Sequence, residues 1–263
     1  MRILFCSPER EFPVTPDLLV RQFAHIGARL VVTPAAPRST RPFDLDIRRD
    51  RVGEHFRLAV PVQAPDFQLL QSDRAIRHLL VRAEGDRLLC GHDERHWFVA
   101  AIADRVSTVR EAKRSLLPKS LKGLGLPPEI FERRHNAVFL RQGEWFFVPT
   151  NRNFLDAMIL RNEPLFRDRR SKPHVISEVV RFGGTPVVIF RGTEFSPLEW
   201  DDHERMARAQ GKSVAGIQRV MKDPGVYARG TVRHADHATL ILKGWHRVYA
   251  NMEARSINVS FYD

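Results

Sequence analysis

The sequence predicts an α+β protein, mainly antiparallel sheet in β-meanders and hairpins with a few packed helices. Three observations carry this reading. Residues 78–102 and 225–251 each read as three short strands joined by tight turns, Arg141-Gln142-Gly143-Glu144 separates two apolar runs as a hairpin turn would, and the best-signalled helix in the chain is short.

The elements follow in order. Residues 2–6 read as a first strand, after which Pro13, Pro16, Pro34, Pro37 and Pro42 allow only short elements. Residues 17–26 form a helix: Asp17 caps it, Leu18, Leu19, Phe23 and Ile26 make the apolar stripe, and Gly27 ends it. A strand over residues 28–33 precedes a polar, Arg/Asp-rich stretch, 35–55, expected to be a surface loop. The first meander then runs through 78–82, a Glu84-Gly85-Asp86 turn, 88–90, a polar turn and 97–102. Over residues 107–117, Thr108 and Glu111 have capping-box spacing, Val109, Ala112 and Leu116 line one face, and Pro118 stops the helix. Strands at 137–140 and 145–148 flank the Gly143 turn. Residues 167–172 read as an exposed basic loop, 175–182 and 186–190 as a hairpin around Gly183-Gly184, and 200–220 as helical. Strands at 225–233, 238–242 and 245–251 complete the second meander.

With 263 residues, 43% of them hydrophobic, the chain can bury a sizeable core. One integrated unit is expected, and the place for any division into an N-terminal part, 1–120, and a basic C-terminal part, 121–263, lies between Lys119 and Arg134. No apolar run approaches the roughly 18 residues of a membrane span, so no membrane association is expected. The apolar stretch at residues 3–6 is too short for a signal-peptide core, and two cysteines, Cys6 and Cys90, make no disulfide framework; both features point to the cytoplasm.

The net charge of +11 comes mostly from residues 101–263, with 27 Lys and Arg against 18 Asp and Glu. A basic balance of this kind suits phosphate, and nucleic acid, RNA or DNA, is the partner it suggests. The residues expected to contact it are Arg110, Lys113 and Arg114 on the capped helix, Lys119 and Lys122 after it, Arg169 and Arg170 in the basic loop, and Arg233. Arg outnumbers Lys 35 to 7, and the guanidinium fork matches oxyanions bidentately.

Chemistry concentrates in two histidine-bearing turns, Cys90-Gly91-His92-Asp93-Glu94-Arg95-His96 and Arg233-His234-Ala235-Asp236-His237. Two imidazoles titrating near neutrality can act as base and acid in phosphodiester cleavage while an arginine stabilises the developing charge; His92, His96, His237, His246 and Arg141 supply these types. His92, Asp93 and His96 also offer donors to a divalent metal, although His-x-x-x-His is a helical spacing set here among strands. The segment His237-Ala238-Thr239-Leu240 resembles the His-x-Thr strand motif of 2H phosphoesterases, which carry two copies; this chain has one. Glu111-Ala112-Lys113 has the Glu-x-Lys form of one nuclease class but sits on a helix. Walker A, Gly-x-Gly-x-x-Gly, Gly-x-Ser-x-Gly and Cys-x-x-Cys patterns are absent from the sequence.

These features favour a nucleic-acid-binding protein whose histidine turns serve phosphodiester cleavage. The alternatives are an enzyme acting on a small acidic or phosphorylated substrate, and a non-catalytic interaction module. A continuous basic surface joining Arg110, Lys113, Arg141 and Arg169 would favour the first, an enclosed polar pocket the second.

Overall fold

The computed structural model describes residues 13–14, 16–36, 39–62, 65–167, 171–254, 256 and 259–260; the strand expected at 2–6, and Arg169 and Arg170, lie outside these. Antiparallel sheet dominates, with five short helices among the described residues, in keeping with an α+β class.

The N-terminal half is layered. The helix Pro16–His25 buries Leu19 and Phe23 against a four-stranded sheet and one face of a five-stranded sheet, in a core that includes Phe43, Phe56, Phe67 and Trp97. The expected loop at 35–55 is largely sheet: Asp44–Asp50 and Gly53–Val60 pair antiparallel, and Leu30–Pro34 pairs parallel with Gly53–Val60. Leu45 and Ile47 alternate with charged residues there. The charges are held by ion pairs, Arg57 to Asp44 and Arg48 to Asp46, each at 2.6 Å, so a half-buried strand reads locally as a polar loop.

The meander forms as expected, His78–Ala83, Asp86–Asp93 and His96–Ile102, with Glu84 and Gly85 both left-handed in the first turn. Leu80, Leu89, Ala100 and Ile102 face the other way from the Trp97 core and receive the helix Val109–Ser115, whose Thr108–Glu111 capping box is present. The helix stripe is wider than expected. Lys113 follows Val109 by four residues and so shares its face, half-buried beside Ala112 and Leu116 and apart from the solvent-exposed Arg110 and Arg114.

In the C-terminal half a six-stranded sheet runs in the order Leu160–Leu165, His174–Phe182, Gly225–Arg233, Leu240–Ala250, Trp145–Pro149, Leu140–Gln142. It curls: Trp145, one strand in from one edge, has its ring 6.5 Å from that of His174, one strand in from the other. The segments expected as two strands, 238–242 and 245–251, are one strand whose register against Gly225–Arg233 shifts between Ala228 and Gly230. The expected hairpin of 175–182 with 186–190 does not form. His174–Phe182 joins the six-stranded sheet, whereas Thr185–Phe190 pairs with Thr193–Phe195 and Gln218–Lys222 in a separate three-stranded sheet. The helical reading of 200–220 holds only for Pro197–Ala209, because Gly211 and Gly216 take left-handed conformations and release the chain into Gln218–Lys222.

Beyond Ala250 the chain returns to the first half. The amides of Asn251, Met252 and Ala254 donate to the carbonyls of Glu144, Leu116 and Ala101, and Val259–Ser260 pairs parallel with Asp44–Asp50. This return lines the seam between the halves, where the site lies.

Candidate functional site

Strand register assembles the site. Val175 pairs with Arg233 and Ile176 with Val232, so the antiparallel ladder carries His174 to the level of His234. The loop beyond His234 then places His237 nearby. It is tied down by Lys172 Nζ to Asp236 at 2.6 Å and by Gln142 Nε2 donating to Ala238 O at 2.5 Å. Nitrogens of His174, His234 and His237 lie within 4.8 Å of one another, and this cluster could hold a metal ion. The rings are loosely stacked, centroids 4.2 Å apart for His174 with His234 and 4.7 Å for His234 with His237.

His174 is 1% exposed, and neither ring nitrogen has a hydrogen-bond partner among the described residues. Burial, followed by the charges of His234 and His237, pushes its pKa down to about 3, so the imidazole is neutral as a metal ligand must be. Two further buried polar atoms at this place, Trp145 Nε1 and Gln142 Oε1, also lack partners among the described residues. Unsatisfied groups of this kind are rare enough in native interiors to mark a place where something else binds. Gly143 closes the cluster. Its φ is +55°, and a Cβ there would sit 3.1 Å from His237 Nε2 and 3.4 Å from His174 Nε2, so the space those nitrogens face is kept open by the missing side chain.

Three imidazoles are a donor set of the kind that borderline divalent cations accept. Tetrahedral zinc–nitrogen bonds of about 2.0–2.1 Å set ligand nitrogens roughly 3.3 Å apart, so modest side-chain rotations must draw the rings inward. His237 Nδ1 already meets Glu94 Oε2 at 3.2 Å, the carboxylate–imidazole pairing that fixes ring orientation around bound metals.

Glu94 belongs to the first histidine turn, so the two turns meet. The residues that converge are partly those expected: His96, His237 and Arg141 line one cavity, whereas His92 and His246 do not join them, and His174 and His234 enter instead. Alternation along Asp86–Asp93 sends His92 and Asp93 to opposite faces. His92 packs edge-on against Trp97 at 4.9 Å, Asp93 forms an ion pair with Arg134, and His96 Nδ1 meets Glu54 Oε1 at 2.6 Å. The expected metal set His92, Asp93 and His96 is thus replaced by one that shares none of its members. His246 is buried in its own strand, with Nδ1 3.0 Å from Gly244 O, and does not join the cluster. Sequence reasoning missed His174, which opens a strand directly after Pro173; the signal was its distance from Arg233 across a ladder, invisible without the pairing.

Beside the cluster lies a cavity of about 110 Å³ at the seam, lined by His237, Gly143, Asp46, Asp93, Arg141 and Glu253 among others. Glu253 is half-buried. Its Oε1 has no partner among the described residues, while Oε2 is 3.5 Å from Asn251 Nδ2 and 3.6 Å from Arg167 Nη1. Burial dominates these weak contacts and raises its pKa to about 7, where a carboxyl can both take and give a proton. Asp46 is likewise pushed up by burial, against the pull of Arg48. Arg141 is anchored by Nε donating to Gly143 O at 2.9 Å and lies over the Phe146 ring at 5.4 Å.

The expected nucleic-acid residues that are described differ in their surroundings. Arg110 pairs with Glu132 at 3.2 Å, Lys122 with Asp104 at 3.0 Å, and Arg233 reaches Asn162 at 3.2 Å. Arg114 and Lys119 are exposed, and Lys113 turns inward with Arg141. Of the surface expected through Arg110, Lys113, Arg141 and Arg169, Lys113 and Arg141 line a cavity and Arg169 lies outside the described residues. No helix among the described residues is long and apolar enough to cross a membrane.

Comparison with protein-family models, with curated proteins and with solved structures finds no match for this chain.

Proposed function

We propose that this protein is a metal-dependent hydrolase acting on a small anionic substrate bound at the seam between its halves. The observation that carries the proposal is the buried, unpartnered His174 beside His234 and His237. A bound divalent ion would polarise the scissile group and its attacking water. The chain's own residues supply the rest. Glu253 removes a proton from the attacking water as its oxygen bonds to the electrophilic centre, then returns that proton to the leaving group as the old bond breaks. Arg141 faces the same cavity and balances negative charge developing there. Glu94 keeps His237 oriented.

A site of this size and enclosure favours small substrates over polymers. Nucleic-acid binding stands second, supported by the net charge of +11 and by exposed Arg114 and Lys119. The test is a panel of phosphate and carboxylate esters assayed with protein stripped by a chelator and reloaded with zinc or cobalt. The expected result is hydrolysis that vanishes on stripping and returns on reloading. Hydrolysis indifferent to the metal, or none with any member of the panel, contradicts the proposal.

A further inference from the structure

A second cavity, about 60 Å³, backs onto the first and shares Asp93, Phe98, Leu116 and Arg141 with it. Its remaining wall includes His78, Lys113, Glu132 and Arg134. Each carboxylate here has a closer cation of its own, Asp93 with Arg134 and Glu132 with Arg110. Asp93 Oδ2 is 3.9 Å from Arg141 Nη2. Lys113 makes no hydrogen bond or ion pair among the described residues; Glu132 acts on it only at longer range. The helix drives that lysine inside regardless, since position 113 falls on the stripe of Val109, Ala112 and Leu116.

Three cations and two carboxylates thus line one small space, and with Arg134 held by Asp93 the cations left to face it are Lys113 and Arg141. Burial lowers the pKa of Lys113, with Glu132 opposing and Arg141 adding to the shift, and burial followed by Lys113 and Arg141 holds down His78. Like charges gathered in a low-dielectric pocket cost stability unless an anion joins them, and a guanidinium beside an ammonium is the pairing that recognises compact oxyanions. Because Arg141 lines both cavities, a group held in the inner one projects into the outer one, beside His237 and Glu253.

We propose that the inner cavity is an anion subsite in which Lys113 and Arg141 bind the phosphate group of a phosphorylated substrate, with the reacting part of the molecule in the metal-side cavity. The substrate's placement rests on the hydrolase reading; the anion subsite itself is testable without it. The experiment is a calorimetric titration of inorganic phosphate into chelator-stripped protein, into zinc-loaded protein, and into Lys113→Met and Arg114→Ala variants, with circular dichroism verifying the fold. Lys113→Met keeps the buried stem and removes the charge. The expected result is phosphate binding in the stripped protein, weakened at least about tenfold by Lys113→Met and unchanged by Arg114→Ala. Arg141→Lys, which keeps charge but loses the fork, should weaken it less than Lys113→Met. Three outcomes overturn the subsite: no binding to stripped, folded protein; binding equally sensitive to Arg114→Ala, which is nonspecific charge attraction; and binding that requires zinc and ignores Lys113→Met, which makes phosphate a metal ligand and leaves the metal site standing.

Discussion

The hairpin turn at Asp93–His96 and the loop at His234–His237 offer similar side chains, histidine and acidic residues, yet the first is spent on ion pairs while the second brings its histidines against a third. In the first, Asp93 and Glu94 bond Arg134, and His96 bonds Glu54. In the second, the loop brings two histidines against a third, His174, whose ring nitrogens have no hydrogen-bond partner among the described residues. Donor chemistry is common to both places. What separates them is the company each keeps, carboxylates and Arg134 for the first and the buried His174 for the second, and that depends on elements distant in sequence. The first turn then acts in support, since its Glu94 orients His237.

The comparison can be broken most severely at Glu253. Replacing it with Gln removes proton transfer while keeping shape, and turnover should fall by about 10²–10⁴-fold with metal content unchanged. In the parent protein, kcat should rise with pH up to a limb near 7 as the carboxyl ionises, and that limb should vanish in Glu253→Gln. A variant that retains activity removes Glu253 from the chemistry.

Acid stability distinguishes closed from open places next. His78 is 7% exposed, and burial, then Lys113 and Arg141, hold its pKa to about 4. The unfolded chain takes up this proton below an ordinary value of 6.5, whereas the folded chain refuses it until about 4. Stability is therefore complete above 6.5 and lost as pH falls toward 4, by roughly 3 kcal/mol from this group. Urea unfolding of metal-free protein should show that decline, and His78→Phe should flatten it; buried His174 contributes with the same sign. An unchanged slope in His78→Phe contradicts the assignment.

Glu94→Gln tests the supporting role of the first turn. Zinc affinity should drop by about 10–100-fold, the usual cost of losing a carboxylate behind a ligating imidazole. Competition against a chromophoric chelator reads the effect, and unaltered affinity means the two turns are neighbours without being coupled. The smallest effect belongs to the exposed helix face: Arg114→Ala should change unfolding free energy by no more than about 0.5 kcal/mol, measured by urea titration.

Much of this fold was legible locally. The helix Pro16–His25, the meander and the Thr108–Glu111 capping box each depend on residues a few positions apart, and each formed. The failures have a common origin in distant pairing. Residues 44–50 looked polar because their charges are satisfied by Arg57 and Arg48, and residues 175–190 looked like a hairpin although the two strands enter different sheets. The site shows the same limit. His237 and Arg141 were recognisable by type, His174 became a partner only through the Val175–Arg233 register, and Glu253 entered through the returning C-terminal segment. Lys113 is the instructive exception, since its inward position follows from helix spacing alone and only the narrowness of the assumed stripe hid it.

The most direct test of the central claim is cobalt titration of chelator-stripped protein, followed by visible absorption. The account predicts one ion per chain with the intense bands of low-coordinate cobalt, lost in His174→Ala, His234→Ala and His237→Ala and kept in His92→Ala and His96→Ala. Cobalt binding that survives His174→Ala, or that is lost on removing His92 or His96, would contradict it.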